Sequence, residues 1–132
     1  MKKLPILLLV LLLAALLVSA YIGRNSSVIQ INQDDAGKTI QLSTGDKLEV
    51  YLEGNPSTGY VWEVLSGQEL LQQSSDMEFT AASQQLVGSS GEMRFEFEAI
   101  AAGETTLDMG YLRPFERDID PLQTYSVNII VK

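Results

Sequence analysis

The chain has 132 residues, a formal net charge of -8, and neither cysteine nor histidine. Its length fits one domain, and the missing residue types exclude a Ser-His-Asp triad, a thiolate nucleophile, a cysteine-ligated zinc site and a disulfide. Because binding to a phosphate backbone needs clustered Lys and Arg, the excess of acidic residues argues against nucleic acid as a partner.

An apolar leader opens the chain. Lys2 and Lys3 precede a long apolar run, and Val18-Ser19-Ala20 supplies the small residues that a signal peptidase recognises. We predict a signal peptide at 1–20, cleavage after Ala20, and a short linker at 21–27. The alternative is an uncleaved membrane anchor, since the stretch of low polarity extends to Ile22. In both cases the lysines keep the N-terminus inside, so we expect an extracytoplasmic domain, secreted or periplasmic, with membrane contact only if the leader is retained.

Residues 21–132 alternate apolar and polar side chains in short runs, and no window of helical length keeps an uninterrupted apolar stripe. In Met93–Ala99, a slip of one residue would bury Arg94, Glu96 and Glu98, so this strand has a well-defined register. The pattern predicts strands at Val28–Ile31, Thr39–Leu42, Lys47–Leu52, Tyr60–Leu65, Leu70–Gln73, Met77–Ala81, Met93–Ala99, Thr105–Tyr111 and Tyr125–Val131. The segments within 70–81 are the weakest candidates.

This spacing predicts an all-β fold, an immunoglobulin-like antiparallel β-sandwich of about seven strands. A small barrel is the structural alternative. The predicted core contains the bulky side chains on the alternating faces, namely Trp62, Phe95, Phe97, Met109 and Tyr125.

Three connections are rich in Gly, Pro, Ser or charge: Glu53–Gly59, Ala82–Glu92 and Leu112–Pro121. Connections alternate between the two ends of an antiparallel sandwich. If the weak segment 70–81 contributes one strand direction, these three connections lie at the same end, and the plain turns at Gly45, Gly67 and Gly103 lie at the other.

Each of these connections carries a motif. The first holds Gly54-Asn55-Pro56-Ser57-Thr58-Gly59-Tyr60, in which proline fixes one φ and Gly59 permits a positive φ. The second holds Gly88-Ser89-Ser90-Gly91, whose lack of bulk allows another backbone to approach. The third holds Arg113-Pro114-Phe115-Glu116, which places an aromatic ring on a proline-stiffened turn. Taken singly, each motif is ordinary turn chemistry.

Together, in this order and spacing, the motifs resemble the chagasin family of cysteine protease inhibitors, whose pattern is NPTTGY/F, then GxGG, then RPWE. The resemblance covers about residues 28–132. It implies a reversible inhibitor of papain-like cysteine proteases that works without a cofactor or metal, and we expect a monomer. The residues it implies for protease binding are Asn55, Pro56, Ser57, Thr58, Gly59, Tyr60, Gly88, Ser89, Ser90, Gly91, Arg113, Pro114, Phe115 and Glu116.

The resemblance also implies a role for each loop. Asn55–Tyr60 would enter the active-site cleft and cover the catalytic cysteine and histidine, Gly88–Gly91 would pair by backbone along the non-primed side, and Arg113–Glu116 would contact the primed side through its ring. Ser90 stands where the family usually has glycine, and Phe115 replaces tryptophan. These departures are expected to affect the strength of inhibition and the preferred target more than the class of function.

Two other functions compete with inhibition. An exported immunoglobulin-like domain could serve as a surface adhesion or assembly module, because fold does not imply function. The Asp34-Asp35 pair, or Asp118 and Asp120, could act as acid and base or hold Ca²⁺, but paired acids on a solvated loop are usually plain surface, and no run of oxygen ligands like an EF-hand loop is present. We therefore predict no enzymatic activity and no metal site.

Overall fold

The computed structural model describes residues 4–22, 25–83, 85–116 and 118–132. These residues form one helix and nine strands: α1 (Leu4–Ile22), β1 (Val28–Asn32), β2 (Thr39–Leu42), β3 (Lys47–Gly54), β4 (Val61–Ser66), β5 (Leu71–Gln73), β6 (Glu78–Ala81), β7 (Gly91–Ala99), β8 (Gly103–Leu112) and β9 (Gln123–Val131). Short 3₁₀ turns lie at Gln33–Asp35 and Pro56–Thr58. The strand ends differ from the predicted ones by no more than two residues.

Helix α1 covers most of the predicted leader. Pro5 lies in its first turn, where the missing N–H removes no helical hydrogen bond, and the large side chains from Ile6 to Leu13 are more than half exposed. Across the described ranges, no helix is both long and apolar enough to cross a membrane. Lys2 and Lys3, and the side chains of the predicted cleavage point Val18-Ser19-Ala20, lie outside the described residues.

The strands form two sheets. In the first sheet the order is β1-β3-β7, and the far edge of β7 pairs with both β5 and β6. In the second sheet the order is β2-β9-β8-β4. The predicted all-β sandwich is confirmed, but two edge pairings are parallel rather than antiparallel, β1 with β3 and β2 with β9. The chain moves to the other sheet after β1 and returns after β2, so strands that run in the same direction become neighbours. Sequence periodicity does not reveal these crossings.

The core lies between the two sheets, where alternate side chains of the central strands face each other. In the first sheet Val50 pairs with Phe95, and Leu48 with Phe97, across the β3–β7 ladder, so these buried side chains lie beside one another on its inner face. The five predicted core side chains are buried, which confirms that prediction: Trp62, Phe95, Phe97, Met109 and Tyr125.

The polar atoms of Trp62 and Tyr125, two of the core side chains, have partners. The Trp62 indole donates to the carbonyl of Glu53 at 3.0 Å, and the Tyr125 hydroxyl donates to the carbonyl of Asn32 at 2.8 Å. Burial, helped by the charge of Asp35, raises the pKa of Tyr125 to about 12. Both rings therefore pack as apolar bodies without leaving an unsatisfied donor.

The outer face of the first sheet carries a network of charges around Arg94. Its guanidinium lies 3.2 Å from a carboxylate oxygen of Glu49 and 2.7 Å from one of Glu96. A hydrogen bond from Ser74, with those from Arg94 and Lys47, lowers the pKa of Glu96 to about 2. The solvent-facing side chains Arg94 and Glu96 of β7 are therefore charged and paired with each other, as their alternation with Phe95 and Phe97 predicts.

Candidate functional site

The three motif-bearing connections follow β3, β6 and β8. Strands β5 and β6 both pair antiparallel with β7, so together they act as one interrupted edge strand, and the chain direction keeps alternating. Segment 70–81 therefore contributes one strand direction, which is the condition for the three connections to lie at the same end. The three connections lie at one end of the sandwich, where hydrogen bonds join the first to both of the others. We call them loop 1 (Asn55–Tyr60), loop 2 (Ala82–Ser90) and loop 3 (Arg113–Leu122).

Loop 1 is a closed 3₁₀ turn. Asn55 caps it, because its side-chain oxygen accepts hydrogen bonds from the backbone N–H of Ser57 at 3.1 Å and from the Ser57 hydroxyl at 2.5 Å. The Asn55 carbonyl accepts from the hydroxyl of Thr58 at 2.6 Å and from its N–H at 3.2 Å. Pro56 stands at the first position of the turn, where its fixed φ is suitable. The loop is therefore rigid without help from a partner.

Gly59 ends this turn in the left-handed region, with φ of 83°. A side chain there would also meet the ring of Phe115, since an added Cβ would lie 3.2 Å from it. The N–H of Tyr60 then bonds to the hydroxyl of Thr58 at 3.3 Å as the chain enters β4. Glycine is thus needed at this position for backbone geometry and for the approach of loop 3.

Loop 2 bends toward loop 1. The side-chain nitrogen of Asn55 donates to the carbonyl of Gly88 at 2.8 Å, and Gly88 has φ of 76°. Within loop 2, the Ser89 hydroxyl donates to the carbonyl of Ser83 at 2.9 Å. The apolar side chains of Leu86 and Val87 are exposed at the tip.

Gly91, the last residue of the second motif, begins β7 rather than lying in the loop. It sits between β3 and β6, opposite Gly54 on one side and Ala81 on the other. An added Cβ would come within 2.1 Å of the carbonyl oxygen of Thr80. The backbone that comes close to Gly91 therefore belongs to β6 of the same chain, and the end of β6 leads into loop 2.

Loop 3 contacts loop 1 through Arg113. The guanidinium Nε donates to the carbonyl of Thr58 at 3.1 Å, and the guanidinium carbon lies 4.4 Å above the centre of the Tyr60 ring, in cation–π geometry. The same side chain pairs with Glu116 at 3.1 Å. Phe115 projects from the turn with 71% of its surface exposed, so it is available as an aromatic contact.

Tyr111 supports the site from the core side of loop 1. It was not among the predicted site residues. Its hydroxyl accepts a hydrogen bond from the N–H of Asn55 at 2.9 Å. Its ring lies 5.3 Å from that of Tyr60 and 5.1 Å from that of Trp62. Sequence periodicity places Tyr111 in the core, and its hydroxyl at the end of β8, next to a loop, was the available signal for a second role. Leu86 and Val87, exposed at the tip of loop 2, were not among the predicted site residues either, although two adjacent apolar residues in a Gly/Ser-rich loop are unusual.

The acidic residues considered for acid–base or calcium chemistry lie in two separate segments, Asp34 and Asp35 in the 3₁₀ turn after β1, and Asp118 and Asp120 in loop 3. Asp35 closes a capping box with Asn32, and a hydrogen bond from the Asn32 backbone together with Lys38 lowers the pKa of Asp35. Asp118 has φ of 65°. Within the part of the chain that the structure describes, no group of three or more acidic residues is arranged to hold a metal ion. What the clustered loops can do is bind a complementary surface.

Comparison with known proteins shows which family this chain resembles. The pattern of the chagasin family of peptidase inhibitors, I42, matches residues 41–129, a range that holds all three loops. Amoebiasin-2 of Entamoeba histolytica is 26% identical over 71% of this chain and 77% of its own length. Chagasin of Trypanosoma cruzi is 27% identical over 60% of this chain and 76% of its own length.

The fold comparison agrees. The crystal structure of a cysteine protease inhibitor from Entamoeba histolytica superposes with a TM-score of 0.72 at 22% identity, covering 83% of this chain and 100% of that one. At this identity the likeness shows the fold alone. The match over residues 41–129, however, spans most of the sandwich and all three motifs, and on this ground the chain belongs to the chagasin family of peptidase inhibitors.

Proposed function

We propose that this protein inhibits papain-like cysteine proteases reversibly, by placing loop 1 in the active-site cleft with loops 2 and 3 on either side. Membership in a family of peptidase inhibitors supports this function and agrees with the expectation that the chain is not an enzyme. It gives no support to an adhesion or assembly module.

The observation that carries the proposal is the joining of the three loops within the free chain. Asn55 bonds to loop 2 at 2.8 Å, and Arg113 bonds to loop 1 at 3.1 Å. A surface that is already ordered loses less conformational entropy when it binds, so more of the contact energy appears as affinity. The three loops thus form a preassembled wedge.

Loop 1 is also suited to block a protease without being cut. The carbonyls of Asn55 and Pro56 accept hydrogen bonds from Thr58 and Gly59 at 3.2 and 3.0 Å. A substrate-like extended conformation would break both of these bonds and the asparagine cap. In this proposal Thr58 and its neighbours cover the catalytic cysteine and histidine, the Gly88–Gly91 segment lies on the non-primed side, and Phe115 contacts the primed side.

The decisive experiment measures inhibition constants of the full chain against a panel of papain-like enzymes, with a serine protease and a metalloprotease as controls. We expect tight, reversible inhibition of the papain-like enzymes alone, a one-to-one complex from a monomeric inhibitor by light scattering, and an intact inhibitor by mass spectrometry after long incubation. Full activity of every papain-like enzyme at a large molar excess of folded protein contradicts the proposal.

We also propose that residues 1–20 direct export and are removed after Ala20, so that the inhibitor works outside the cytoplasm. The proposal is supported by Lys2 and Lys3 ahead of the apolar run and by Val18-Ser19-Ala20 at its end. Mass spectrometry of protein from the native host should find Tyr21 as the N-terminus in the exported fraction. A peptide that retains Lys2, found in the membrane fraction, would favour an uncleaved anchor instead.

A further inference from the structure

Asn55 is the first residue of the family-implied binding motif, yet its polar atoms are occupied within the chain. Its N–H donates to the Tyr111 hydroxyl at 2.9 Å, its side-chain oxygen accepts from Ser57, and its side-chain nitrogen donates to the Gly88 carbonyl at 2.8 Å. One side chain thus closes loop 1 and holds loop 2 against it.

Arg113 has the matching arrangement on the opposite flank. Its Nε donates to the Thr58 carbonyl, its Nη1 pairs with Glu116, and its planar face lies over the ring of Tyr60. About a third of the side chain is exposed, compared with 71% of Phe115 two residues later. The contacts of Arg113 therefore point into the inhibitor, whereas those of Phe115 are open to a partner.

We infer that Asn55 and Arg113 are positioning residues, which lock loops 2 and 3 onto loop 1 in the free inhibitor, and that contact with the protease is left to their exposed neighbours. The affinity part of this inference rests on the proposed function. The structural part, that these two ties keep the loops ordered, stands without it. An inhibitor whose loops are ordered only part of the time binds with an affinity reduced by the competent fraction.

Asn55→Asp tests the first tie. The substituted carboxylate still accepts from Ser57, but it cannot donate to Gly88 and faces that carbonyl with a negative charge. In the free, ¹⁵N-labelled full chain, we expect the backbone order parameters of Gly88 and Ser89 to fall from about 0.85 toward 0.6, while those of Thr58 and Gly59 stay unchanged. Inhibition should weaken roughly five- to tenfold, as expected for the loss of one hydrogen bond.

Asn55→Ser serves as the second variant, because serine is also a good cap but is neutral and too short to reach Gly88. It should give the same pattern, and it keeps the test open if the aspartate variant fails to fold. On the other flank, Arg113→Lys keeps the charge and loses the planar fork, so it should disorder loop 3 and weaken inhibition as much as Arg113→Ala does. Phe115→Ala is the matched contact control, expected to weaken inhibition without changing loop order.

The outcomes separate the two roles. Weaker inhibition with unchanged order parameters means that Asn55 or Arg113 contacts the protease directly, which overturns the inference. Unchanged inhibition in spite of disordered loops also overturns it, as does no change in either quantity. If the parent protein inhibits no papain-like enzyme, the proposed function fails, but the order parameters of the free variants still decide whether these residues hold the loops.

Discussion

Gly91→Ala should strongly destabilise the sandwich at the base of loop 2. The added Cβ would lie 2.1 Å from the carbonyl oxygen of Thr80 and 2.8 Å from the Cα of Ala81. Both atoms belong to the backbone of β6, so no side-chain rotation relieves the contact, and the strand must retreat by more than an ångström. That movement strains the ladder that joins β6 to β7.

The magnitude follows from the nature of the obstacle. Extra methyl groups in well-packed sites cost about 1–3 kcal/mol, and a backbone obstacle favours the upper end, about 3 kcal/mol. Gly54, the register partner of Gly91 across the β3–β7 ladder, supplies a matched control. A Cβ there would first meet the end of the Met93 side chain at 2.9 Å, which is flexible, so we expect a cost near 1 kcal/mol for Gly54→Ala.

Thermal unfolding followed by circular dichroism decides the matter. For a domain of this size, about 3 kcal/mol corresponds to a fall in Tm of roughly 12 °C or more, and the Gly54→Ala control should fall by roughly a third of that. The Gly91→Ala variant should also inhibit more weakly than the parent, in proportion to the fraction of its molecules that remains folded. Equal melting temperatures for the two variants would refute the reasoning, because β6 could not then lie where the structure has it.

Three further results are expected. Thr58→Ala combined with Gly59→Ala should weaken inhibition at least tenfold, about 1.4 kcal/mol, because alanine at position 59 resists the positive φ and meets the ring of Phe115. The Tm of this double variant should fall far less than that of Phe97→Ala, whose core cavity costs roughly 3–5 kcal/mol. Phe115→Trp should lower the inhibition constant if loop 3 is an aromatic anchor, and a weaker inhibitor would argue against that contact. The pKa of Glu96 in the folded state lies well below its ordinary value of 4.5. The ionised carboxylate therefore stabilises the fold above pH 4.5, and this contribution is lost as the pH falls toward 2. Urea unfolding at pH 6 and pH 2.5 should show a smaller acid-induced loss of stability for Glu96→Gln than for the parent.

Much of the fold follows from periodicity alone. In β7, Phe95 and Phe97 alternate with Arg94 and Glu96, which determines the side chains that face the core before any neighbour is known. The same alternation cannot say which strand lies alongside, since a parallel and an antiparallel neighbour bury the same face. The pairing of β1 with β3 depends instead on where the chain crosses between sheets.

The candidate site was predictable as a set of loops but not as a network. Glycine and proline mark loop 1 and loop 3 as rigid turns, and strand alternation places them at one end. Hydrogen bonds such as that from Asn55 to Gly88 join residues far apart in sequence, through side-chain atoms whose direction the sequence does not specify. Gly91 shows the same limit: its lack of a side chain was visible, but the backbone that fills the space was not.

The two ends of the sandwich differ in a way that explains why binding is expected at one of them. At the far end the turns are short, and bonds such as those from Gly45 to the carbonyl of Ala99 and from the N–H of Ser43 to Asp46, both at 2.8 Å, hold them. At the near end the loops are long and side chains join one loop to another, while the buried ring of Tyr111 connects them to the core through Asn55, Tyr60 and Trp62. Side-chain closure permits the exposed residues between the ties to change with little effect on the fold, because the core and the ties remain. A binding surface can therefore adapt to its target on these loops while the β-sandwich that positions it stays the same.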